Sequence, residues 1–231
     1  MATASERLTQ KVDLLVPAFA TPGRLLLGHP RVRALYPQYF AVSSLVSLAM
    51  VPLMETALAR ARALTPGDPV AVPLAEYLER HIPEEMHGEE QGRASLDDLE
   101  ALGVDTVALC TRPLPPKIAA LIGTQYFWIW HSHPVAILGF LELEALHPHV
   151  ATVEQLIERT GLPRNGFRQL LLHAEVDIAH AEDLHHVIDS LPLEPRQEQL
   201  IAISALQTMA FLIDAWLEVV ADNAEAGTAR A

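Results

Sequence analysis

The residues most able to do chemistry lie in His173-Ala-Glu-Val-Asp177-Ile-Ala-His180, two imidazoles and a carboxylate at i, i+4 and i+7. At 3.6 residues per turn, the three fall on one stripe of a helix and can converge on one ion. Mixed imidazole and carboxylate donors without thiolate suit iron or manganese. The competing reading is a solvated polar face, since His185 and His186 follow closely. Glu84-Glu-Met-His87 offers a second donor pair at i and i+3, the Glu-x-x-His spacing of carboxylate-bridged di-metal sites. Glu89 and Glu90 continue that run, so an acidic helix end is its plain alternative. The third piece is Glu142, flanked on its helical face by Leu138, Gly139, Ala145 and Leu146. An ionised carboxylate there is costly unless paired or metal-bound. Glu144, nearer the helix end and beside Pro148, is more easily solvated, so Glu142 is preferred.

The elements that must position these groups read as helices throughout. Proline and glycine punctuate segments of helical period. Helices are expected from Ser5 to Ala18, Pro37 to Leu64 with a bend at Pro52, and Val72 to Glu90. A short segment from Ser95 to Gly103 follows, opened by a capping box between Ser95 and Asp98. Further helices are expected from Pro115 to His131, Pro134 to Leu146, Thr152 to Arg159, Arg164 to Leu191 and Glu194 to Ala221. Residues 21–30 and 106–111 read as loops, and the tail from about 222 to 231 as disordered. No repeat, phosphate loop or β-run is present, so the expectation is one all-α domain, a bundle of about seven or more helices.

Composition narrows the function. Half of the 231 residues are hydrophobic and only 19% are charged, enough for a substantial core. The net charge of -13 argues against nucleic acid and anionic membrane as partners. The longest apolar stretch, Ala41 to Met54, is broken by serines and Pro52 and is too short to span a bilayer. The N-terminus lacks the apolar core of a secretory signal, and a cytoplasmic setting is expected. The single cysteine, Cys110, excludes an internal disulfide and a thiol-based metal cage.

From about His29 to Asp189 the chain resembles the heme-oxygenase-like diiron oxidases and oxygenases. The His-x3-Asp-x2-His of that family's third ligand helix matches His173, Asp177 and His180. Its middle-helix glutamate fits Glu142, and the histidine ending its first ligand helix fits His87. Leu35-Tyr-Pro, Val51-Pro-Leu-Met and Asp97-Asp-Leu-Glu-Ala-Leu-Gly also resemble the family. Many members carry a glutamate seven residues before that histidine, where this chain has Arg80. Glu84 with His87 instead resembles the alkene-forming fatty-acid decarboxylases of the family. A shifted alternative uses His81 and Glu85, with Gly88 then falling where a histidine belongs.

The resemblance implies a heme-oxygenase-like bundle with Glu84, His87, Glu142, His173, Asp177 and His180 around two iron ions, the second labile. It implies O2 activation and oxidation of a small amino acid, amine or medium-chain fatty acid. Such substrates mostly carry a carboxylate, and Arg80, one turn before Glu84, is the candidate anchor. Its alternative is an ordinary helix pair with Glu76 or Glu84. Tyr126, Trp128, Trp130, His131 and His133 either line a pocket or fill the core. Other functions stay open: a metal-free enzyme of the same fold, related to thiaminases or cofactor oxidases, a heme binder using His29, or an interaction protein. Whether the chain forms a homodimer also stays open.

Overall fold

The computed structural model describes residues 2–87, 89–146 and 148–228. Within these, the side chains of residues 86–87, 89–94, 144–145, 175–180 and 222–228 lie outside the description. Among the described residues there is no strand. Thr3 opens α1 (Ala4–Val12) with a capping box to Glu6, as an N-terminal Thr-x-x-Glu should.

α2 (Val16–Gly28) corrects the first expectation, because the helix breaks at residues 13–15 and resumes through Thr21-Pro22-Gly23. Pro17 lies in its first turn, where a missing N–H costs nothing, and packing on α3 and α11 carries the helix past Pro22.

α3 (Val32–Leu64) starts five residues earlier than Pro37 and passes through both Pro37 and Pro52. α4 (Ala71–His87) is followed by α5 (Glu89–Ala101). Ser95 is therefore inside a helix and not at its start, so the expected Ser95–Asp98 box does not open one. α6 (Thr106–Thr111) replaces an expected loop. Asp105 caps it, accepting the Ala108 N–H at 2.9 Å, and Cys110 lies exposed on it.

The second half runs α7 (Pro116–His131), α8 (Ala136–Leu141), a 3-10 turn (Glu142–Leu146) and α9 (Val150–Thr160). α9 stops at Gly161, whose φ of +57 closes the helix in the left-handed region. α10 (Arg168–Ser190) and α11 (Pro195–Thr228) complete the chain, α11 continuing past Ala221 into the segment expected to be disordered.

α3 and α11 are the two central helices. α3 packs on α4, α5, α7 and α9, and α11 packs on α1, α2, α7 and α8. Both are long and apolar enough to cross a membrane, yet half of each apolar window is buried inside the bundle, as core helices require. α8 is buried on all sides, and Gly139 is what lets it lie against α11. A Cβ there would collide with the Ile201 carbonyl, the Ala205 amide and Ser204. Tyr36 of α3 stacks on Phe167 at 4.5 Å, anchoring the entry to α10 in the core.

The aromatic segment of α7 divides between core and surface, with Tyr126 packed against the core. Its buried stripe is Ile118, Leu121, Gln125 and Ile129, which leaves Phe127 and Trp130 on the outer face. His133 ties the α7–α8 junction to Asp68 at 3.0 Å, and Asp68 in turn accepts the Val70 and Ala71 N–H groups at the start of α4.

Candidate functional site

α10 begins on a residue borrowed from another helix. Phe167 offers no capping side chain of its own. Asp98 of α5, 0% exposed, supplies the cap: Gln169 N–H donates to its Oδ2 at 2.8 Å and Arg168 Nε to its Oδ1 at 2.9 Å. Gly166 permits this approach, since a Cβ there would strike Leu102. The backbone of α10 is then helical without a break through residues 173–180, so positions 173, 177 and 180 share a stripe. His173 is half-buried, and its Nε2 lies 2.6 Å from Gln169 Nε2 one turn earlier. The side chains of Asp177 and His180 lie outside the described residues.

Glu142 lies at the junction of the buried α8 and the 3-10 turn that packs on α10. It is 3% exposed. Its carboxylate faces α10, where His185 Nε2 stands 3.1 Å from Oε1 and 3.2 Å from Oε2. The hydrogen bond to Glu142 raises the His185 imidazole above its ordinary pKa, with burial pulling the other way. The Glu144 side chain lies outside the described residues.

α4 differs from the expectation. Its inward carboxylate is Glu85, 7% exposed, while the Glu84 side chain is 53% exposed with its Oε2 3.3 Å from His81 Nδ1. His81 is buried, stacks on Tyr77 at 5.1 Å, and has its Nε2 3.9 Å from Glu85. Successive helical positions are 100° apart, so the stripe through Leu78, His81, Ile82 and Glu85 that packs into the bundle turns Glu84 outward. The His87 side chain lies outside the described residues. Arg80 pairs with neither Glu76 nor Glu84. Its guanidinium reaches Asp183 of α10 at 3.2 Å and lies 5.7 Å from the centre of the Tyr77 ring.

Among the described residues no three His, Cys, Asp or Glu side chains are grouped closely enough to hold an ion. What is described nevertheless suits one. A buried carboxylate in apolar surroundings has a histidine as its partner, with no lysine or arginine bonded to it among the described residues. Gln169 Oε1, beside His173, is buried without a hydrogen-bond partner among the described residues. Nitrogen and oxygen donors of this kind are those that ferrous iron accepts. Sequence reasoning held Glu85 only as the shifted alternative with His81, placed His185 on a solvated polar face, and passed over Gln169.

Comparison with known proteins agrees with this picture at the level of fold and family. No protein of curated function matches the chain. A domain of unknown function with a heme oxygenase-like fold from Shewanella denitrificans superposes with a TM-score of 0.75 at 15% identity, covering 92% of this chain and 90% of that one. A CADD-like protein of unknown function from Nostoc punctiforme gives 0.66 at 20% identity, covering 94% and 97%. A TenA homologue from Pseudomonas syringae gives 0.62 at 12% identity, covering 94% and 93%. At these identities the likeness is one of fold, and the chain has the heme oxygenase-like fold. The sequence itself matches the iron-containing redox enzyme family over residues 43–212, most of its length, and the chain belongs to that family.

Proposed function

We propose that the protein is an iron-dependent oxidase or oxygenase that uses O2 to oxidise a small metabolite bearing a carboxylate. The observation that carries this reading is the placement of Glu142. A carboxylate rising from an all-buried helix is set against the helix that carries His173, at a depth where it needs a cationic partner. His185 is the partner it has among the described residues, and family membership supports iron as the cation this carboxylate takes. His173, Asp177, His180 and Glu142, with an acid and an imidazole from α4, would hold two ions, the second more weakly. Bound iron would supply the electrons for O2 reduction, and the protein's own groups bind, orient and exclude water. The apolar residues of α8 keep bulk water from the Glu142 side.

Arg80 is the proposed anchor for the substrate carboxylate. Its pair with Asp183 is half-exposed on both sides, the kind worth only about 0–1 kcal/mol, and a substrate acid could displace it. A cytoplasmic enzyme with one exposed cysteine fits the same reading. The likeness to a TenA homologue carries fold only and leaves the metal-free alternative without a residue to support it.

The test is anaerobic reconstitution with Fe(II), metal analysis, and then measurement of O2 uptake with panels of amino and fatty acids. Iron binding with iron-dependent uptake that one acid class stimulates is the expected result. Iron binding with no uptake under any of these acids would refute the oxygenase reading, and failure to bind iron would refute the metal reading as well.

A further inference from the structure

We infer that His185 competes with metal for Glu142: the imidazole that bonds both oxygens of this carboxylate leaves them when iron loads. The inference rests on the iron reading above. His185 Nε2 is nearly equidistant from the two Glu142 oxygens, at 3.1 and 3.2 Å. Both oxygens that a chelated cation would use are therefore engaged by the same ring nitrogen. A single N–H shared between two acceptors is bent toward both and is a weaker bond than one aimed at a single lone pair.

A residue that supports a ligating carboxylate by bonding one oxygen leaves the other to the metal. His185 does the opposite. It engages both oxygens an ion would use, and it supplies the partner that a 3% exposed carboxylate cannot do without.

A similar arrangement holds for a second described donor. His173 Nε2 is engaged at 2.6 Å by Gln169, also on α10. Both holders thus belong to the helix that carries the His-x3-Asp-x2-His stripe, and each occupies an atom that would otherwise be offered to metal. His185 is half-buried and at the edge of the site, so it has room to withdraw.

The experiment is an anaerobic Fe(II) titration against a competing chelator for wild type, H185A and E142Q, with melting curves as a check on folding. H185A should bind Fe(II) about three- to tenfold more tightly than wild type, because no side chain need be displaced, and E142Q at least tenfold more weakly. Equal or weaker binding by folded H185A would overturn the inference. A second readout needs no variant: Zn(II), which is diamagnetic and redox-silent, is titrated into protein with 15N-labelled histidine. The His185 ring signals should move from the hydrogen-bonded to the released form as the site fills. If Zn(II) loads and they do not move, His185 stays on Glu142 and the inference fails. If E142Q binds Fe(II) as well as wild type, the assignment of Glu142 to the metal falls first.

Discussion

The amide of Gln169 donates to the carboxylate of Asp98 at 2.8 Å, so the helix bearing His173 takes its N-terminal cap from a residue 71 positions away. The pair joins α5 to α10 and fixes where the first turn of α10 begins. Because Gln169 also holds His173, the cap sets both the axial position and the side-chain partner of that histidine.

Replacing Asp98 by alanine removes a buried charged acceptor from a helix end and from Arg168. The cost should be about 2 kcal/mol, within the range for lost caps and charged hydrogen bonds. For a chain of this length that corresponds to a drop in Tm of roughly 4–8 °C. Hydrogen exchange should show the Gln169 amide losing protection before the rest of α10. A melting temperature within 1 °C of wild type would mean that Asp98 does not hold the helix.

Gly139 and Gly123 should respond to alanine with opposite signs. At Gly139 a methyl group meets backbone atoms of Ile201 and Ala205, which cannot move without parting α8 from α11. G139A should lose about 3 kcal/mol or more, at the upper end of overpacking costs, or fail to fold. At Gly123, within α7, nothing lies within 4 Å of the added Cβ, and G123A should gain about 0.5–1 kcal/mol from helix propensity. Chemical denaturation of the two variants checks both signs.

The helical class was legible because apolar residues recur at helical spacing along the whole chain, and Gly161 marked the end of α9 as a left-handed C-cap should. Local signals misled where tertiary contacts decide. Thr21-Pro22-Gly23 reads as a turn, yet α2 runs through it because α11 and α3 hold it. Ser95 and Asp98 look like a local box, but Asp98 caps a helix distant in sequence. The His-x3-Asp-x2-His stripe and the depth of Glu142 could be read from sequence, since both depend on period and neighbours. The inward turn of Glu85 could not, because adjacent glutamates differ only by a 100° rotation that the packing of Leu78 and Ile82 sets.

Asp189 should tie the N-terminus to α10 in a pH-dependent way. Its carboxylate accepts the Ser5 N–H and the Ser5 hydroxyl, both at 2.8 Å. Burial pushes its pKa up, but these bonds, with the Thr3 hydroxyl and the Ala4 N–H, outweigh it and leave the value below the ordinary one. A carboxyl with a lowered folded pKa contributes stability above its unfolded pKa of about 4, and that contribution fades as pH falls through the lower folded value. The stability gap between wild type and D189N should therefore be largest near neutrality and shrink below about pH 4. Urea unfolding at pH 7 and pH 3 measures it, and a gap that widens on acidification would contradict the assignment.

The two glutamates of α4 give the last test, because only one of them can face the site without rotating the helix. In the fold as it stands, that one is Glu85, on the same stripe as the buried His81, while Glu84 is half-exposed. Turning Glu84 inward by one position would rotate the helix by about 100° and expose Leu78 and Ile82. Each such aliphatic side chain is worth roughly 1.5–3 kcal/mol of burial, a cost that metal binding would have to cover. E85Q should therefore lower Fe(II) loading several-fold, and E84Q should leave it nearly unchanged. Metal analysis after anaerobic reconstitution and desalting distinguishes the two. If E84Q is the variant that loses iron, α4 turns on loading, and the imidazole it brings is His87, three residues on, in place of His81.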